Sequence, residues 1–207
     1  MTITSGNNDT GEADHLFHLP NGVGVRQWRD SDAASLAHHA DNRNVWDKLR
    51  NRVPHPYTLG DARCWIRPAN PQERMAGSGE WDSEVGAPKG PLVRADHAIT
   101  VDDVAVGSIG LRFGADVYVR STELGYWLGE EYWGKGVMSQ VAPAYVKWVW
   151  ETFQFLVRLN GAVVQSNVAS RKVLIRAGFH VEGMREKAVF KNRVFLDEVG
   201  MAALRPE

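Results

Sequence analysis

The chain has 207 residues, 43% of them apolar, enough to bury one good core and to make one domain the natural count. Its 24 basic and 25 acidic residues leave a formal net charge of −1, so nothing in the charge suggests a nucleic-acid or membrane partner. Cys64 stands alone, which excludes an internal disulfide and suits a reducing, cytoplasmic compartment, and there is neither an apolar run of membrane-spanning length nor a secretory-signal layout.

In chain order, residues 1–17 are too polar to pack and read as a flexible tail, ahead of a folded unit over residues 18–207. Alternating Val23, Val25 and Gln27 predict a first strand over residues 22–28. Ser31 is placed to cap a helix to about Ala40, and residues 42–49 read as a second short helical piece. Pro54 and Pro56 break the chain, and Thr58 with Asp61 has capping-box spacing at the head of a helix holding Ala62, Trp65 and Ile66. Residues 69–91, rich in proline, glycine and charge around a lone Trp81, read as a surface insertion of the length that lids have. Strands follow over residues 97–101 and 104–113, joined by Asp102 and Asp103 as a tight hairpin. After a strand, loop and helix to about Glu151 come a strand over residues 158–164 and a short helix over residues 170–176 ended by Gly178. A terminal hairpin over residues 182–190 and 194–204 closes the chain. The order is mixed α+β, one central sheet with helices on both faces.

The most informative stretch runs from Gly125 to Ser139. It reads as an apolar strand, a tight turn, then a glycine-rich entry into a helix, an arrangement that aims backbone N–H groups and a helix N-terminus at one anion. Three readings compete. Gly129, Gly134 and Lys135 satisfy most of a Walker nucleotide loop, but Gly136 replaces the magnesium-binding hydroxyl, and Glu130 and Glu131 inside the cradle would repel a triphosphate. The second is a turn that caps a helix and binds nothing. The third is a coenzyme A pyrophosphate loop. In the helix behind it, Val137, Val141, Tyr145 and Trp148 form a core stripe, while Pro143 in its interior predicts a bend near Ser139.

The motifs Glu123-Leu-Gly-Tyr-Trp-Leu128, Tyr132-Trp-Gly-Lys-Gly136, Asn167-Val-Ala-Ser170, Val173-Leu-Ile-Arg-Ala-Gly-Phe179 and Glu182-Gly183, in that order and spacing, resemble the GCN5-related N-acetyltransferases. Within them they are similar to the branch that includes the ribosomal-protein alanine acetyltransferases. The resemblance covers roughly residues 104–204 and favours the coenzyme reading. It implies a single domain with a mostly antiparallel mixed sheet of six to seven strands, splayed at its centre. It also implies acetyl-CoA as co-substrate and no metal. His38 and His39, being adjacent on a helix, are expected to face different directions and make no ligand cluster.

Acetyl transfer needs a neutral amine, and an alkyl amine is roughly one part in a few thousand neutral at pH 7, so a base matters more than an acid for the thiolate. The resemblance assigns that base to Glu123, against a solvated strand-end carboxylate, and the sulfur-side donor to Ser170, which also stands where it could cap the following helix. Leu174 occupies the position where related subfamilies carry a tyrosine acid. Coenzyme contacts are expected from Tyr126, Trp127, Leu128, Trp133, Gly134, Lys135, Gly136, Val137, Met138, Ser139, Asn167 and Ser170. Tyr126 and Trp127 alternate, one ring to the core and one to the acceptor cleft, and Trp133 is expected to anchor the loop. Trp46, His55 and Tyr57 are weaker acceptor-site candidates in the segment where the family builds its acceptor wall. No cysteine lies near these motifs in sequence, which favours direct transfer in a ternary complex over an acetyl-enzyme. The acceptor is expected to be a small-molecule amine, with a protein amino terminus or a silent acyl-CoA-binding module as alternatives. No nucleic-acid or membrane partner is implied, and the oligomeric state stays open, a homodimer included.

Overall fold

The strands over residues 96–101 and 104–113 are buried along nearly their whole length, because helices cover both faces of the sheet they share. The computed structural model describes residues 15–68 and 74–207. It begins with β1 (His15–His18), β2 (Val23–Arg26), α1 (Ala33–Ala40), α2 (Arg43–Trp46) and α3 (Leu59–Ile66). Four short strands follow, β3 (Met75–Gly77), β4 (Trp81–Asp82), β5 (Ala87–Pro88) and β6 (Leu92–Arg94), then β7 (Asp96–Val101), β8 (Val104–Phe113) and β9 (Ser121–Leu128). The C-terminal part is α4 (Val137–Thr152), β10 (Arg158–Val164), α5 (Val168–Arg176), β11 (His180–Lys191) and β12 (Val194–Leu204).

The main sheet has the order β1-β2-β7-β8-β9-β10-β12-β11. Its pairs are antiparallel except β9 with β10, which run parallel. The α+β class and the mostly antiparallel mixed character of the main sheet match the expectation, and two small two-stranded sheets stand beside it. The strand count is eight rather than six to seven, because His15–His18 pairs on the edge of β2. Residues 15–17 therefore belong to a strand rather than to a tail; residues 1–14 of the expected tail lie outside the described residues.

One face of the sheet packs Val106, Ile109, Leu124 and Leu159 against Val141, Tyr145 and Val149 of α4 and Leu174 of α5. The other face carries Ala98 and Ala105 beneath Leu36 of α1 and Ala62 and Ile66 of α3. Asp102 and Asp103 both take positive φ, 50° and 61°, as a two-residue hairpin turn requires. Asp103 also accepts from Arg26 Nε at 2.8 Å, while Arg26 forks onto Asp32 at 2.7 and 2.8 Å. That buried guanidinium thus ties β2, the head of α1 and the β7–β8 turn together.

Several local expectations shift. Ser31 does not cap α1: a short 3-10 turn, Asp30–Asp32, precedes it, and the Asp32 carboxylate accepts from Arg29 N at 2.8 Å. Asp32, held by Arg26, closes that turn, and its side chain makes no capping hydrogen bond to α1 itself. The second helical piece forms as expected but is shorter: Asn42 caps it, accepting from Asn44 N at 2.9 Å, and it ends at Trp46, not near Leu49. The Thr58–Asp61 capping box forms on α3. Pro143 does not interrupt α4, which runs continuously to Thr152 although the Ser139 carbonyl loses its i+4 donor. The insertion is not a bare loop where it is described: β3 pairs with β6 and β4 with β5. Gly79 N donates to Thr152 O at 2.9 Å and Phe155 N to Gly79 O at 2.8 Å, fastening this unit to the end of α4. Residues 69–73 of that insertion lie outside the described residues. Among the described residues no helix is long and apolar enough to cross a membrane.

Candidate active-site cleft

The parallel pair β9–β10 holds for only three residue pairs, Arg158–Ser121, Leu159–Thr122 and Asn160–Glu123. Beyond them β9 follows β8, where Gly107 faces Leu128, and β10 follows β12, where Val164 faces Glu198. The strands therefore splay, leaving a wedge whose vertex is Glu123 and Asn160. A cleft of about 2420 Å³ runs through the wedge and onto the face under α1 and α3.

At the wide end, the chain leaves β9, makes a 3-10 turn over Glu130–Tyr132 and enters α4. Gly134 and Gly136 take φ of +73° and +78°, in the left-handed region that glycine tolerates, and no heavy atom stands within 4 Å of where a Cβ would project. The backbone is therefore exposed there, and the first N–H groups of α4 have no acceptor within the helix. The Trp133 indole N–H donates to Leu128 O at 2.7 Å and anchors the loop, the role expected for it. Glu130 and Glu131 are not inside this cradle. Glu130 accepts from Asn42 and Asn44 side chains, each at 2.8 Å, and Glu131 lies 3.2 Å from His38 Nε2. Both carboxylates are drawn onto the N-terminal helices, so the expected repulsion of a bound phosphate does not arise from them.

Along one wall, the Asn167 side-chain oxygen Oδ1 accepts from Ser170 N at 3.2 Å and caps α5. Ser170 is thus three residues inside that helix and is not its cap. Its hydroxyl instead meets the Tyr126 hydroxyl at 2.9 Å. Burial pushes the Tyr126 phenol up to about 12, which keeps it protonated at neutral pH. Leu174 is buried and offers no acid; Tyr126 brings a tyrosine hydroxyl to Ser170 from the strand instead. Tyr126 packs toward the main core and Trp127 toward the smaller core under α1 and α3, the opposite-face arrangement the alternation predicts.

At the vertex, Glu123 accepts from Arg50 Nη2 at 2.5 Å, and Arg112 stands directly across from it on β8. The predicted coenzyme residues line the one cleft except Lys135, whose ammonium lies 5.5 Å from the Tyr132 ring. Of the acceptor candidates only Tyr57 lines the cleft. Trp46 and His55 do not, because they stack on each other with centroids 5.3 Å apart, and Lys191 sits 3.9 Å from the Trp46 ring. Lys191 also donates to Trp46 O at 2.6 Å and to Leu49 O, bracing this wall against the terminal hairpin. No motif or spacing in the sequence marks Arg50, Arg52, Arg74 or Arg112, all of which line the cleft. The first two lie inside the predicted acceptor wall, and hairpin register alone sets Arg112 opposite Glu123. Cys64, remote in sequence, is exposed in the same cleft. His38 and His39 do not diverge as adjacency suggested: with Glu131 they place ligand atoms within 4.8 Å of one another.

A family model described as the acetyltransferase (GNAT) domain matches residues 23–180. "Probable N-acetyltransferase YjcK" of Bacillus subtilis is 31% identical over 106 residues, which span 51% of this chain and 58% of that protein. "Ribosomal-protein-serine acetyltransferase" of Escherichia coli is 32% identical over 87 residues, 41% of this chain and 46% of the relative. The match thus spans about half the length of these curated relatives. The crystal structure of ribosomal-protein-S5-alanine acetyltransferase from Vibrio fischeri is similar in fold, with a TM-score of 0.72 at 18% identity over 92% of this chain and 97% of that one.

Proposed function

Because the chain belongs to the GNAT acetyltransferase family, we propose that it moves the acetyl group of acetyl-CoA to a primary amine by direct attack in a ternary complex. The observation that carries this reading is the wedge itself, with an open glycine loop at one end and a carboxylate at its vertex, joined by one strand. The backbone around Gly134 and Gly136 and the start of α4 hold the pyrophosphate. Asn167, whose side-chain oxygen is occupied as a cap, keeps its NH₂ to donate to the pantetheine arm.

Glu123 takes a proton from the amine, directly or through water, as the nitrogen bonds to the thioester carbon and the carbon–sulfur bond breaks. Arg50 fixes the carboxylate in that position. The Ser170–Tyr126 hydroxyl pair donates a hydrogen bond to the leaving thiolate, and the buried phenol, a weak acid, keeps its own proton while doing so. A small-molecule amine is the favoured acceptor. A protein amino terminus is the second reading, favoured by the names of the Escherichia coli and Vibrio fischeri proteins. The cytoplasm, which the lone cysteine suits, is the proposed compartment.

Thiol release from acetyl-CoA, followed with a panel of small amines and of short peptides, tests the reading. Acetylation of at least one amine, retained in Cys64→Ala, is the expected result. Thiol release abolished in a folded Cys64→Ala protein that still binds acetyl-CoA would replace direct transfer by an acetyl-enzyme. Coenzyme binding with no acceptor in either class would leave an acyl-CoA-binding module.

A further inference from the structure

The acceptor side of the cleft carries an unbalanced positive charge. Four arginines line it: Arg50, Arg52, Arg74 and Arg112. The carboxylates among them are already engaged. Asp96 is held by Arg74 at 3.0 Å and Arg94 at 2.8 Å, Asp61 accepts from Thr58 N at 2.8 Å, and Glu123 accepts from Arg50. Among the described residues neither the Arg52 nor the Arg112 guanidinium has a hydrogen-bond or ion-pair partner, and both open onto the same space. Partial desolvation, then the neighbouring Arg112 and Arg50 charges, lower the Arg52 pKa from its ordinary value, with Glu123 opposing them. Two like charges stay together at a cost unless an anion joins them.

A coenzyme seated at the glycine loop does not supply that anion. Glu123 and Leu128 lie five residues apart on β9, about 16 Å at strand spacing, so phosphates at the loop stay far from the vertex. The occupant must come from the acceptor. Resting on the acetyltransferase reading above, we propose that the acceptor is a small amine bearing a carboxylate or phosphate, gripped by Arg52 and Arg112 while its amino group faces Glu123. Arg112 is the cross-strand partner of Glu123, so the two side chains rise side by side from one face of the sheet, their Cα atoms roughly 5 Å apart. The acceptor is therefore short. Guanidinium forks suit planar carboxylates and phosphates alike, and a polycationic amine would be repelled from the same wall.

Thiol release measured with matched amines tests this. β-Alanine and O-phosphoethanolamine carry the two candidate anions, propylamine and ethanolamine are their neutral counterparts, and 1,3-diaminopropane is the cationic one. The expected result is the lowest KM for one of the anionic amines, with the preferred anion naming its class. Arg52→Gln and Arg112→Gln should each raise that KM about 10–100-fold, the loss of a charged hydrogen bond. They should leave the KM for neutral amines and the affinity for acetyl-CoA unchanged. Preferential acetylation of diaminopropane or propylamine, or of an acidic peptide with no small anion accepted, would overturn the proposal while leaving acetyl transfer intact. So would an anionic acceptor whose KM is indifferent to both substitutions. Absence of acetyl-CoA binding would instead remove the acetyltransferase reading beneath it.

Discussion

Glu123 concentrates the chemistry in one side chain, and its neighbours decide what that side chain can do. It sits at the last paired position of β9 with β10, with the Arg50 guanidinium on one oxygen. If it accepts the amine proton, Glu123→Gln should bind acetyl-CoA as wild type does and lose about 10²–10⁴-fold in turnover. The deficit should narrow as pH rises, because more of the amine then arrives neutral. A pH profile of kcat for both proteins reads this, and a deficit of constant size at every pH would mark Glu123 as an anchor for Arg50 instead. That Glu123 lies on a strand is legible in the sequence, but it is the third residue of β9, paired with Arg112 and Asn160, and not the strand's end. Arg50 is not legible there, because no periodicity signals an arginine reaching across from a loop between helices.

At the level of elements, the short helix α5 separates two roles that the sequence left merged. Ser170 reads there as both cap and sulfur donor, since its spacing before an apolar run fits either. In the fold Asn167 is the cap, and Ser170 turns its hydroxyl to Tyr126. Asn167→Ala should therefore cost about 1 kcal/mol of stability, the usual loss of a helix cap. Ser170→Ala should cost less stability and lower kcat while the coenzyme still binds. Urea unfolding of both variants checks the first half, and equal losses would return the capping role to Ser170. The splay between β9 and β10, likewise, could be expected only from the family resemblance. Nothing in the alternation of residues 121–128 marks where the pairing to β10 stops, because β8 keeps the strand paired on its other edge.

For the whole molecule, the core carries a pH dependence of its own. His97 is fully buried, and its two nitrogens contact the Gln27 side chain at 3.2 Å and the Tyr145 hydroxyl at 2.9 Å. Burial pushes its imidazole down to about 3, from an unfolded value near 6.5. The unfolded chain therefore binds more protons between those values. The stability His97 contributes is present above pH 6.5 and is lost as pH falls toward 3, by at most about 1.4 kcal/mol per pH unit. Urea midpoints from pH 7 to pH 4 should fall less steeply in His97→Phe than in wild type, and parallel slopes would contradict the assignment. The sequence made most of the strands, the Thr58–Asp61 capping box and the glycine loop legible because these rest on local spacing. The edge strand at His15, the paired strands of the insertion and the arginine wall rest on contacts between distant segments, which local spacing does not encode. The central claim is that the loop at Gly134–Gly136 holds the pyrophosphate of acetyl-CoA, and calorimetric titration of acetyl-CoA into Gly136→Asp tests it most directly. Aspartate tolerates the positive φ of that position and sets a carboxylate against the bound phosphates, with Gly136→Asn as the uncharged control. The expected result is a folded Gly136→Asp protein whose affinity is lower by about tenfold or more, the scale of a close charge repulsion, with Gly136→Asn affected much less. Wild-type affinity in Gly136→Asp would contradict the account.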